Sequence, residues 1–355
     1  MRNTGHSHAG LRRRVRADAI AESQVCSGRS TRRALLFALG AGALVFPLFP
    51  LAQGQKAKIP RVGVLSVGTS SRATTQIEAL RAGLRELGYV EGRNISFEFR
   101  SAEGNYDRLP EMAADLVRLN VDLIVSSGTP VTQAVKAATK TIPIVMIGVG
   151  DPVGTGLVAS LARPGGNVTG TSNLSPPLMV KRLELLKEAH PAVRRVAVLL
   201  NPANPAQKLS FEAMETAARS LKVEIQKFEV RNLAEIRSAF SAMAKQRFDG
   251  VAVAHDTILL ANAGTIAELA AKQRIASSGN IEYAGAGGLI GYDSITDIYR
   301  YSATYVDKIL KGAKPADLPV EQPSKFGVVV NMKTAKALGI KIPGSILVRA
   351  DRVIK

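Results

Sequence analysis

From Arg61 onward, short apolar runs alternate with longer stretches in which apolar side chains return every three or four positions. "RVGVLSV" (61–67) reads as a buried strand, and "TQIEALRAGLRELGY" places Ile77, Leu80, Leu84 and Leu87 at helical spacing, with Gly88 in a C-terminal capping position. "NISFEFR" has the period of a half-buried strand, "YDRLPEMAADLVRLN" is helical, "VDLIVSS" is a strand, "VTQAVKAATK" a helix and "IPIVMIGV" a strand. Four strand–helix repeats at this pace predict parallel strands, right-handed crossovers and helices on both faces.

The rhythm then repeats. "RRVAVLL" (194–200), "FEAMETAARSLK", "VEIQKFEV", "LAEIRSAFSAMAKQ", "FDGVAVAHD", "ILLANAGTIAELAAKQ" and "RIASSG" follow the same strand and helix order. Arg61 aligns with Arg195 at an offset of 134 and Ile95 with Val223 at 128, so the halves match in element order and nearly in length. The fold class predicted is α/β: two doubly wound parallel-sheet lobes joined by a multi-strand hinge. "NVTGTSNLSPPLM" (167–179) is rich in turn formers and is expected to be a linker, and "GGLIGYDS" (287–294) to lead out of the second half. "ITDIYRYSATYVDKILKG" is a long amphipathic helix, and "KPADLPVEQPSKFGVVVN" supplies a linker and strand. The expected division is therefore residues 58–172 with about 289–318 in the first lobe, and 173–288 with about 319–355 in the second. Three crossings would make a hinge that bends without letting the lobes drift apart.

Composition narrows the picture. The 355 residues fit two domains, and 46% hydrophobic with 21% charged residues describes a globular chain. The net charge of +18 is spread out: residues 1–54 hold eight arginines and no lysine against Asp18 and Glu22, which leaves +12 for the remainder. Those charges are scattered along amphipathic segments, with no basic run interleaved with aromatics, so no nucleic-acid partner is expected. Within residues 1–54, Arg32 and Arg33 precede an apolar stretch from Ala34 to Leu51, with small residues at Ala52 and Gly54. This is the layout of a twin-arginine export signal cleaved near residues 52–54, and it places the mature chain in the periplasm. The single cysteine, Cys26, precedes the apolar run, so the exported portion is thiol-free.

Enzyme chemistry finds little support. The exported portion holds two histidines, His190 and His255, and has no HExxH, GxSxG or Walker lysine loop and no clustered metal ligands. No catalytic residue, cofactor or metal is expected. "IGVGDPVGTG" resembles a dinucleotide loop, but its glycines are spaced G-x-G-x-x-x-G at the fourth strand. No carboxylate follows at the expected distance, and Pro152 removes an amide. These glycines are expected to turn the chain, and "ARPGG" to end a short helix.

In open parallel sheets ligands bind beyond the carboxyl ends of the strands. Six such ends, "SVGTSS", "SSGTP", "GVGDP", "NPANP", "AHDT" and "SSGN", are dominated by small polar residues. In "SSGTP", Thr129 can cap a helix whose first turn holds Pro130, so that free backbone amides and the hydroxyls of Ser126, Ser127 and Thr129 are expected to converge on an anionic group such as a carboxylate. Asp151 and Asp256 can each accept a ligand ammonium or simply cap the helix that follows. The expected ligand contacts are Ser66, Thr69, Ser127, Gly128, Thr129 and Asp151 on the first lobe. Closure is expected to add Asn201, Asn204, Asp256, Asn280 and Tyr292.

"LRAGLRELGYVEGRNI", "LPEMAADLVRLNVDLIV", "GVGDPVGTGLVASLARPGGNVTG", "KRLELLKEAHPAVRRVAVLLNPANP" and "YVDKILKGAKPADLPVEQPSKFGVVVNMKTAKALGI" resemble the periplasmic substrate-binding proteins of ABC transporters, in the family that includes tryptophan-binding members. The similarity spans nearly all of residues 58–355. It implies a type I periplasmic-binding-protein fold, a monomer whose lobes close on a small solute, and delivery to a membrane permease driven by an ATPase. A periplasmic sensor signalling to a membrane receptor is the alternative that the same lobes allow. Where similar proteins often read "REFVEAGGLMSYG", this chain has "GNIEYAGAGGLIGYD", which alters the wall around Asn280 to Tyr283.

Overall fold

The computed structural model describes residues 58–68 and 70–355. The export signal expected in residues 1–54, and Thr69, lie outside the described residues. Among the described residues, no helix is long and apolar enough to cross a membrane.

In the first half, β1 (Arg61–Ser66), α1 (Ser70–Glu86), β2 (Ser96–Ser101), α2 (Leu109–Arg118), β3 (Leu123–Ser127), α3 (Thr129–Ala138), β4 (Ile144–Val149) and β5 (Val168–Ser172) build a sheet of order β2-β1-β3-β4-β5. Every pairing in it is parallel. Strand alternation sends Leu65, Ile124 and Met146 to one face, where the apolar stripes of α2 and α3 cover them. Val64, Val125 and Ile147 point to the other face, under α1 and a helix that arrives much later in the chain.

The second half continues with α4 (Ser175–Ala189), β6 (Arg195–Leu200), α5 (Ala206–Leu221), β7 (Glu224–Glu229), α6 (Leu233–Lys245), β8 (Gly250–Val253), α7 (Thr257–Ala261), α8 (Ala263–Lys272), β9 (Ala276–Gly279), α9 (Ile281–Gly285) and β10 (Ile290–Ser294). The chain then crosses to the first lobe, where α10 (Ile298–Leu310) packs on α1, β3, β4 and β5, and crosses back to finish with β11 (Phe326–Asn331), α11 (Met332–Leu338), α12 (Gly344–Arg349) and β12 (Arg352–Ile354). The second sheet runs β12-β11-β10-β9-β8-β6-β7, with β11 antiparallel to β10. The repeat read from the sequence is thus built: Arg61 and Arg195 open the first strand of each lobe. In both sheets the strand order reverses beside that strand, between β1 and β3 and between β6 and β8, and the strand ends there face the cleft.

Three local expectations are corrected. Residues 168–172, read as linker, form β5, whose polar side chains are buried but satisfied: the Thr169 hydroxyl donates to the Leu318 carbonyl at 2.6 Å, and Thr171 Oγ1 accepts from Gly148 N–H at 3.3 Å. Residues 290–294 form β10 of the second sheet, so the return to the first lobe starts after Ser294 and not near 289. "ARPGG" forms no helix; Ala159 N–H bonds the Pro164 carbonyl in a compact turn instead.

Candidate functional site

Between the lobes lies a cleft of about 620 Å³, within the roughly 300–1,000 Å³ usual for small-molecule sites. Ser127, Gly128 and Thr129 form one wall, where β3 gives way to α3. Gly128 holds the N-cap position at φ 86°, a backbone state that favours glycine, and the chain can turn there directly into the helix. The expected role of Thr129 as the cap is therefore corrected: its buried Oγ1 accepts from Gly150 N–H at 3.1 Å and ties the start of α3 to the loop after β4. The Ser127 hydroxyl pairs with the Tyr299 hydroxyl at 2.5 Å, which brings α10 to the same wall. The first turn of α3 leaves backbone amides without intrahelical partners beside the cleft.

Asn204 and Asp256, also expected from the sequence, line the opposite wall. Asp256 caps α7 by accepting from Ile258 N–H at 3.0 Å, and takes further hydrogen bonds from the side-chain amides of Asn201 at 3.1 Å and Asn204 at 3.2 Å. Its fourth donor is the Tyr106 hydroxyl at 3.0 Å, from the other lobe. Burial first, and then the adjacent Asp256 charge, push the Tyr106 hydroxyl far above its ordinary pKa, so it stays protonated and donates.

The remaining expected residues sit elsewhere. Ser66 borders a small cavity of about 20 Å³ behind Ser127 and Tyr299. Asn201 is buried beneath Asp256, and Asn280 caps α9 by accepting from Tyr283 N–H at 2.9 Å. Tyr292 stacks on Phe326 with ring centroids 5.9 Å apart, so its ring packs within the second lobe. Asp151 Oδ1 accepts from Gly154 N–H at 2.8 Å within its own loop, and Asp151 is not among the residues that line the cleft.

Sequence reading missed a buried cluster on the second-lobe wall. Arg182 of α4, 0% exposed, donates Nη2–H to Asp293 Oδ2 at 3.0 Å and Nε–H to the Tyr292 carbonyl at 2.9 Å. His255 Nδ1 lies 3.1 Å from the same carboxylate oxygen, and both His255 and Asp293 line the cleft. Burial alone would raise the Asp293 pKa, but the hydrogen bond from His255 and the Arg182 charge outweigh it and hold the carboxyl below its ordinary range. The available signal was Arg182 itself, a charge set among Leu178, Met179, Leu185 and Leu186 on the buried stripe of α4. Tyr106 lies beyond the end of β2, outside the six strand ends named from the sequence.

Comparison with known proteins fits this architecture. Residues 62–354 match the model of the ABC transporter substrate binding protein family. A tyrosine-binding protein of Clostridioides difficile (strain R20291) is 30% identical over 261 residues, 73% of this chain and 74% of that one. The crystal structure of an ABC domain in complex with L-Trp from Streptococcus pneumonia superposes with a TM-score of 0.77 at 30% identity, covering 83% of this chain and 99% of that chain. The ligand-free, open structure of a substrate binding protein with adhesive properties from Clostridium difficile gives 0.60 at 25% identity, over 84% of this chain and 100% of that chain.

Proposed function

The chain belongs to the family of ABC transporter substrate-binding proteins, and from that premise we propose that it captures a small organic solute outside the cytoplasmic membrane and hands it to a permease driven by an ATPase. The solute is an amino acid or a related carboxylate-bearing compound. It is bound and released unchanged, with the chain acting as an exported monomer.

The observation that carries this reading is the cleft itself, with one wall from each lobe and the first turn of α3 on its edge. A helix start favours a negative group by about 0.3–2 kcal/mol, which suits a ligand carboxylate against Ser127, Gly128 and Thr129. Relatives that bind tyrosine or L-Trp support an amino acid. Because the walls belong to different lobes, a ligand touching both favours closure by its differential affinity for the closed state.

The test is a thermal-shift screen of the exported portion against amino acids, organic acids and aromatic acids. A ligand at 100 times its Kd stabilises by about 2.7 kcal/mol, enough to raise the melting temperature by a few degrees. If no compound raises it, the reading fails.

A further inference from the structure

We propose that the corner formed by Asp293 and His255 receives a primary ammonium group of the ligand, so that the cleft selects amine-bearing solutes over acids that lack the amine. This rests on the reading of the chain as a solute receptor and adds a charge class and a location to it.

The inference follows from which acceptors are still free. Among the described residues the cleft lining carries Asp256, Glu282, Asp293 and Asp297, with no lysine or arginine. A carboxylate offers about four acceptor positions. Asp256 has filled them: Oδ1 takes Asn201 and Ile258, and Oδ2 takes Tyr106 and Asn204. Asp297 caps α10 by accepting from Arg300 N–H at 3.1 Å and sits exposed on a hinge crossing. Asp293 is different. It is 5% exposed yet borders the cleft; Oδ2 takes Arg182 and His255, while Oδ1 takes only Ser294 N–H at 2.8 Å.

His255 extends the same corner. Its Nδ1 lies 3.1 Å from Asp293 Oδ2, and in the tautomer that donates from Nδ1 the Nε2 atom is an acceptor. Glu282, in the first turn of α9, adds an exposed carboxylate whose charge is felt at Arg182. The corner thus presents acceptors, with the carboxylates of Asp293 and Glu282 beside one buried guanidinium. An ammonium group brings several N–H donors and one positive charge, and fits on both counts.

Calorimetric titration of the exported portion tests this with L-tryptophan and L-tyrosine against indole-3-propionate and 3-(4-hydroxyphenyl)propionate, which differ from them by the amine. The amino acids are expected to bind on the order of 10- to 100-fold more tightly, the range for charge-assisted hydrogen bonds, with His255→Ala and Glu282→Gln narrowing that ratio. Asp293→Asn also strips the buried Arg182 of its charged partner, so the exposed Glu282→Gln carries the test where that variant fails to fold. Equal binding of acid and amino acid, a ratio unmoved in the variants, or a screen whose binders all lack an amine overturns the proposal while leaving the receptor standing. A screen without any binder overturns both.

Discussion

Tyr106 and Asp256 sit on different lobes and share a hydrogen bond of 3.0 Å, which fills the last acceptor position of a carboxylate already held by three donors of its own lobe. Asp256 is therefore organised before the lobes meet, and Tyr106 reports whether they have met. Tyr106→Phe keeps the ring and removes the bond. It should weaken closure by about 1 kcal/mol, seen as a roughly fivefold loss of ligand affinity and a larger radius of gyration in small-angle scattering. An unchanged affinity would mean that the bond contributes nothing to closure.

Gly150 sets a steric limit on the same motion. A Cβ there would lie 2.6 Å from the Cβ of Ala206 and 2.9 Å from the Ser175 hydroxyl oxygen, neither of which can move aside as a long side chain would. Gly150→Val should prop the lobes apart at a cost of about 1–3 kcal/mol to closure. Ligand affinity falls about 10-fold or more, while each lobe keeps its own core and the melting temperature of the ligand-free protein changes little.

Arg182 and Asp293 form a buried pair, and removing Arg182 leaves the Asp293 carboxylate buried without the guanidinium, with only His255 and Ser294 N–H beside it. Arg182→Met should cost about 3–5 kcal/mol of unfolding free energy, read from urea denaturation. Adding Asp293→Asn to it should recover much of that loss.

The pair also makes stability depend on pH. The Asp293 pKa is held below its unfolded value, which is about 4, so its contribution is fully present above that pH. It is lost as pH falls below about 4 and through the folded pKa. A urea midpoint followed from pH 7 to pH 3 should drop in the acid range, and the drop should be smaller in Asp293→Asn.

Asp151 supplies the contrast. Asp151→Ala removes the hydrogen bond to Gly154 N–H and should cost about 1 kcal/mol of stability, with ligand affinity unaffected in the same calorimetric titration.

The alternation of strand and helix was legible because each lobe buries its apolar residues at the periods of 2 and 3.6 that the geometry demands. β5 was not: Val168, Thr169, Gly170, Thr171 and Ser172 are all buried, but the threonine and serine hydroxyls find backbone partners only after folding, so the strand carries the composition of a loop. The cleft was legible where a single strand end supplies it, as at Ser127, Gly128 and Thr129 or at Asp256. It was hidden where it is assembled from distant segments. Arg182, His255 and Asp293 come from three elements far apart in sequence, and nothing local marks them as neighbours.

The late placement of α10 has a consequence for how the chain acquires its structure. Ala303, Tyr305, Val306 and Ile309 cover one face of the first sheet, yet they follow all but the last segments of the second lobe in sequence. A chain emerging from its amino end reaches residue 297 with that apolar face covered only in part, by α1, and the second sheet still lacks β11 and β12. Neither lobe can fold as an early independent unit during synthesis in the manner of domains that are contiguous in sequence. A truncation before Ile298 should therefore leave two incomplete lobes, where a cut between sequential domains would leave one intact.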